Sequence, residues 1–128
     1  MSTVAVDFDG VIHAYSKGWH DGTIYDDPVP GAFDALRKLM ETYAVFIHTT
    51  RDVASVADWI SDRTGIRTTN LDPREFWNGR GEILVTNLKY PAVAYIDDRG
   101  IRFESWDQAL ADLSRFADAE QARKAAAS

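Results

Sequence analysis

The run Val4-Ala5-Val6-Asp7-Phe8-Asp9-Gly10-Val11 constrains this chain more than any other stretch. Both faces of its alternation are largely apolar, the pattern of a strand in the middle of a parallel sheet. The strand then runs into two carboxylates spaced one residue apart, followed by a glycine. In open α/β sheets ligands bind beyond the carboxyl ends of the strands, at the switch point of the topology. Asp7 and Asp9 therefore fall where a site would form. A hairpin is the competing reading, because Asp9-Gly10 is also a good two-residue turn and Val11, Ile12 and Tyr15 alternate beyond it. The rest of the chain decides between the two.

A chain of 128 residues is expected to form one domain, residues 1–128, large enough to bury a core. There is no cysteine, so disulfides and thiolate metal sites are excluded, which fits a reducing cytoplasm as the expected location. No apolar run approaches the length of a membrane span, and no basic-plus-apolar signal opens the chain. A net charge of −6 with scattered arginines argues against a general nucleic-acid-binding face. A small local groove for a nucleic-acid end is compatible with it.

Along the chain, apolar strands alternate with helical stripes. Residues 13–30, with Gly18, Gly22, Pro28 and Pro30, read as a long loop with a short hairpin around Asp21-Gly22, and loops of that length are often functional. Phe33, Leu36, Leu39, Met40 and Tyr43 recur at helical spacing over 31–42, after Pro30. Tyr43–Ile47 is a second buried strand. Val53, Val56, Trp59 and Ile60 stripe a helix over 52–63, with Gly65 as its stop. Residues 66–81 look irregular. Ile83–Val85 is a third strand, Ala92–Ile96 a fourth, and Ile101–Phe103 a short fifth. Ser105 with Gln108 is a capping-box pattern opening a last helix, whose apolar face is Trp106, Ala109, Leu110, Leu113 and Phe116. Residues 118–128 lack an apolar stripe and are expected to fray. This alternation predicts an α/β fold: a three-layer, Rossmann-like domain around a central parallel sheet.

In such a sheet the strand ends share one edge. Asp7 and Asp9, Thr49-Thr50, Lys89, and Asp97-Asp98 all lie at or just past strand ends, so they are expected to converge. Four carboxylates would repel one another strongly without a cation among them. Oxygen ligands alone, with no cysteine and no clustered histidine, select a hard metal, and Mg²⁺ is the expected cofactor. A hydroxyl and a lysine nearby suit the oxygens of a bound phosphoryl group.

This set and order resembles the haloacid dehalogenase-like (HAD) superfamily over residues 3–117. Asp7-Phe8-Asp9-Gly10-Val11 resembles its first motif, Asp-x-Asp-Gly. Ile47-His48-Thr49 is similar to the second, Lys89 to the third, and Asp97-Asp98 after an apolar strand to the fourth. The resemblance implies a phosphatase that works through an aspartyl phosphate. It implies Asp7 as nucleophile, Asp9 as general acid/base, Thr49 as donor to a phosphoryl oxygen, and Lys89 as a counter-charge. It further implies Mg²⁺ held by Asp7, Asp97 and the Asp9 carbonyl, with Asp98 acting through water. Asp9 favours phosphate esters over halides, because halide leaves without a proton.

Thr49 and Thr50 both satisfy the second motif, and Thr49 is preferred because Thr-x-Arg then runs into the helix through Arg51. There is no room for a large cap, so the expected partner is a phosphorylated substrate reached through an open site, from small phosphomonoesters to nucleic-acid ends or a phosphoprotein. Lys17, Trp19, His20, Arg51, Arg74 and Trp77 are candidates for leaving-group contacts, though each reads more simply as a surface or packing residue. His13, His20 and His48 lack a carboxylate partner at ligand spacing, so they make no zinc site, and His48 is expected to face away from the phosphate. A non-catalytic Mg²⁺- or phosphate-binding module is the alternative from another class. A receiver-type phospho-switch fits less well, since its acceptor sits on a middle strand of the sequence.

Overall fold

The computed structural model describes residues 2–97 and 101–115. The chain runs β1 (Thr3–Asp7), α1 (Ala32–Thr42), β2 (Ala44–His48), α2 (Val53–Thr64), β3 (Arg67–Thr69), β4 (Glu82–Thr86), β5 (Ala94–Asp97) and β6 (Ile101–Arg102), then a helix α3 over residues 106–115. The strands form one six-stranded sheet in the order β3-β4-β2-β1-β5-β6, and every pairing is parallel. The fold is α/β and Rossmann-like, with β1 near the centre as its two-sided apolar pattern requires. The hairpin reading of Asp9-Gly10 fails. Gly10 takes a left-handed φ of 79°, but the amides of Ile12 and His13 fold back onto the Phe8 carbonyl in a compact turn.

Topology decides what covers each face. The β1-α1-β2 and β2-α2-β3 crossovers step in the same direction along the sheet, so with one hand they place both helices on one side. The core there joins Val4, Val6, Val45, Ile47, Ile83, Val85 and Ile96 to Leu36 and Leu39 of α1, Val56 and Ile60 of α2, and Trp106 and Leu113 of α3. The returns β3→β4 and β4→β5 step the other way and contain no helix. Their segments form the third layer. Trp77 and Tyr90 pack on Ala5, Ala44, Phe46 and Leu84. The Trp77 indole donates to the Val45 carbonyl at 2.9 Å, its own carbonyl accepts from Thr3 Oγ1 at 2.6 Å, and Tyr90 donates to Pro73 O at 2.8 Å. Trp77 is thus a core residue of the second face, and not a leaving-group contact.

The helices end as the sequence directs. Asp52 caps α2 by accepting from the Ser55 amide at 3.0 Å, and Gly65 closes it in a left-handed conformation at φ 72°. The capping box of α3 forms reciprocally: the Gln108 amide donates to Ser105 Oγ at 3.2 Å and the Ser105 amide to Gln108 Oε1 at 3.3 Å. The strand Arg67–Thr69 lies inside the stretch expected to be irregular. It holds its place by pairing with Glu82–Leu84. Phe116 and residues 118–128 lie outside the described residues. Among the described residues no helix is long and apolar enough to cross a membrane.

Candidate active site

Three register pairings set the geometry of the carboxyl edge. Asp7 of β1 pairs with His48 of β2, and His48 pairs with Thr86 of β4. On the other side Val6 pairs with Ile96, which brings Asp97 of β5 beside Asp7. Register partners in a sheet project to the same face about 5 Å apart. Thr86, His48, Asp7 and Asp97 therefore form one row across four strands, above the Leu84–Phe46–Ala5–Tyr95 row. The crevice between β1 and β5 is where the topology reverses direction, the place an α/β sheet offers to a ligand.

A pocket of about 410 Å³ opens over this row, lined by Asp7, Asp9, Tyr15, His48, Thr49, Thr50, Lys89, Tyr95 and Asp97. A second depression of about 240 Å³ adjoins it, sharing Asp7, Asp9 and Asp97 and adding Gly10, Val11 and Phe103. Asp7, Asp9, Thr49, Lys89 and Asp97 thus line one pocket at the shared strand edge. Asp98 lies outside the described residues. Both threonines line the pocket. Thr49 is buried, with Oγ1 accepting from the Arg51 amide at 3.0 Å, while Thr50 is exposed.

Asp7, Asp97 and the backbone at Asp9 offer only oxygen donors. Mg²⁺ is bound by one or two carboxylates with waters and phosphate oxygens completing its shell, so this donor set fits it. Among the described residues no group of three His, Cys, Asp or Glu side chains is arranged to hold a metal by itself.

The Asp9 side chain is engaged in a way the sequence did not signal. Arg51 Nε stands 2.9 Å and 3.0 Å from its two oxygens. Arg51 is buried, donates through Nη1 to the Gly22 and Thr23 carbonyls at 2.6 Å and 3.1 Å, and packs 4.5 Å from the Trp19 ring and 5.5 Å from Tyr15. Its Nη2 is buried without a hydrogen-bond partner. His13, fully buried, approaches Asp9 through Nδ1 at 2.9 Å, while its Nε2 accepts from the Asp26 amide at 3.0 Å. The expectation that no histidine has a carboxylate partner is corrected here, because a compact turn brings residue 13 back over residue 9.

Residues 13–28 consequently form a strap over the acid. Its base closes at the His13–Pro28 bridge, and no hairpin strands extend to Asp21-Gly22, where the turn closes with the Gly22 amide on the Trp19 carbonyl. Ser16 donates to Asp26 through both its amide and its hydroxyl. Those bonds hold the Asp26 carboxyl at about 2, well below the usual carboxylate range. Tyr25 stacks edge-on to His13 at 5.1 Å and donates to the Gly18 carbonyl at 2.8 Å. Lys17, Trp19, His20, Arg51, Arg74 and Trp77 do not line the pocket.

His48 also departs from expectation. Its backbone is extended, so residues 48 and 49 alternate, yet it is His48 that shares a face with Asp7. Its ring is half-buried and lines the pocket. Burial above all, and then the Lys89 charge, hold the imidazole below its ordinary value, while a backbone hydrogen bond at Asn87 and the charge of Asp97 pull the other way. Tyr95, whose hydroxyl donates to the Tyr90 carbonyl, is pushed up by burial and by Asp97.

The fold and site define an α/β domain with an acidic crevice at the switch point of a parallel sheet. No family model matches the chain, and no curated protein and no solved structure matches it.

Proposed function

We propose that the chain is a Mg²⁺-dependent phosphomonoester hydrolase of the HAD type, acting through an aspartyl phosphate. The observation that carries this reading is the meeting of Asp7, Asp97, Thr49 and Lys89 in one pocket at the carboxyl edge. In the first step an Asp7 oxygen forms a bond to phosphorus, the ester P–O bond breaks, and Asp9 gives its proton to the leaving oxygen. In the second step water attacks the acyl phosphate, Asp9 takes the water's proton, and inorganic phosphate departs. Thr49 donates to a phosphoryl oxygen and Lys89 offsets negative charge, so the protein's work is mostly positioning and charge neutralisation. Mg²⁺ would be held by Asp7, Asp97 and the Asp9 carbonyl, with Asp98 acting through water, and would supply further charge neutralisation.

The open pocket suits small phosphomonoesters and extended substrates alike, including a nucleic-acid end or a phosphoprotein. A binding module without turnover is the second reading. It is favoured by one feature: both Asp9 oxygens rest against Arg51, so the carboxyl must turn off the guanidinium to reach a leaving oxygen. Turnover separates the two. The purified chain with Mg²⁺ is expected to hydrolyse an aryl phosphate, and Asp7→Asn to abolish this. Mg²⁺ binding with no turnover across nucleotides, sugar phosphates and phosphorylated oligonucleotides would leave only the module.

A further inference from the structure

We infer that His48 is a substrate-contact residue, hydrogen-bonding the phosphate group from the side of Asp7 opposite Asp97; this rests on the phosphoryl pocket proposed above. Three observations on different parts of the structure lead there. The register fixes His48 as the β2 neighbour of Asp7, on the same face and about one strand spacing away. The pocket that holds Asp7 and Lys89 is walled by the His48 ring. Finally, the imidazole is only half-buried, so its exposed part faces the pocket it lines.

The division of the site follows from this. Asp97 lies on the β5 flank of Asp7. His48 lies on the β2 flank, and Lys89, which follows β4 in the chain, lines the same pocket. A phosphate seated over Asp7 turns oxygens to both flanks. Lysine can only donate, whereas an imidazole nitrogen can donate to an oxyanion or accept from a P–OH. The pair therefore holds the group in either protonation state, and His48 gives direction where the flexible lysine gives charge.

The test uses the full chain with Mg²⁺ and inorganic phosphate as probe, read by the ring resonances of His48 and the amide of Thr49. The expected result is a shift at both, with the exposed His20 ring unmoved. In steady-state assays on an aryl phosphate, His48→Leu is expected to raise KM roughly tenfold, the loss of one hydrogen bond to a charged group, with His48→Gln recovering part of it at an unchanged melting temperature. A shift at Thr49 without one at His48, or a His48→Leu variant equal to the parent in KM, overturns the inference while the phosphoryl pocket stands. No shift at either residue overturns both. Shifts at both without turnover support His48 as a phosphate contact and remove the hydrolase.

Discussion

Arg51 Nε bridges the two carboxylate oxygens of Asp9, at 2.9 Å and 3.0 Å, across 42 residues of sequence. The side chain of Arg51 is 1% exposed and that of Asp9 18%, so water cannot easily replace either partner. Removing one member of a buried charged pair is far costlier than the net worth of the pair, because the survivor stays desolvated. Arg51→Met would strip Asp9 of its cation and leave the Gly22 and Thr23 carbonyls without their donor. It is expected to destabilise the fold by about 3 kcal/mol, read as a drop in the urea midpoint. Arg51→Lys should restore little, since a point ammonium cannot serve Asp9 and two carbonyls in the fork geometry of a guanidinium. Wild-type stability in Arg51→Met would show the pair to be incidental.

The tautomer of His13 is fixed by its neighbours. Nε2 accepts a backbone N–H from Asp26 at 3.0 Å, so in the neutral ring the proton sits on Nδ1, facing Asp9 at 2.9 Å. Long-range nitrogen–proton correlation spectra at neutral pH are expected to show Nδ1–H for this fully buried ring. An Nε2–H signature would mean that residues 13 and 26 are not joined as described. His13→Phe keeps the ring stack on Phe8, 5.4 Å away, but orphans the Asp26 amide, so it should loosen the strap without unfolding the sheet.

Acid should loosen the strap before it unfolds the sheet. The Asp26 carboxyl sits at about 2, held down first by the Ser16 hydroxyl and then by the Ser16 and Asp27 amides, against an ordinary 3.8. A depressed folded value means the ionised form is the one the fold favours. Its contribution is complete above the unfolded value and fades as pH falls from about 4 through 2. The Ser16 amide resonance should therefore titrate with a midpoint near 2, and in Asp26→Asn it should not titrate in that window. A midpoint near the ordinary carboxylate value would dissolve the Ser16–Asp26 clasp.

Helix α2 offers a local control remote from the strap. Asp52 accepts from both the amide and the hydroxyl of Ser55, at 3.0 Å and 2.7 Å, and these bonds lower its carboxyl. Asp52→Ala is expected to cost about 1 kcal/mol in chemical denaturation, the usual effect of deleting an N-cap. A loss several-fold larger would mean that Asp52 does more than cap.

What could be read from the sequence follows from where each interaction lives. Strands β1, β2, β4 and β5 carry continuous apolar runs because they are buried on both faces, and that signal survives without coordinates. The edge strand Arg67-Thr68-Thr69 has no apolar period. It exists only through its pairing with β4, a non-local cause that no window of sequence contains. The acids at the strand ends were legible because parallel strands oblige their ends to meet. The Arg51–Asp9 and His13–Asp9 contacts were not, since they depend on how the strap folds back. The face of His48 cannot be read from its neighbour Thr49 alone. The register with Asp7, a relation between strands, is what turns it into the pocket.

The separate duties proposed for Asp9 and Asp97 can be pulled apart through the metal. Asp97 would bind Mg²⁺ by its carboxylate, whereas Asp9 would do so by its backbone carbonyl, which a side-chain substitution leaves in place. A ligand that binds only the folded state stabilises it by RT ln(1 + [L]/Kd), about 2.7 kcal/mol at a hundredfold excess over Kd. Mg²⁺ is therefore expected to raise the melting temperature of the parent and of Asp9→Asn by similar increments, each against its own metal-free baseline. Asp97→Asn should lose most of that rise. Because Asp9 is tied to Arg51 and His13, the baseline of Asp9→Asn is itself expected to fall, which is why the increment and not the absolute temperature is compared. Equal loss of the Mg²⁺ increment in both variants would show that the Asp9 carboxylate takes part in holding the metal, and the division of labour between the two acids would have to be redrawn.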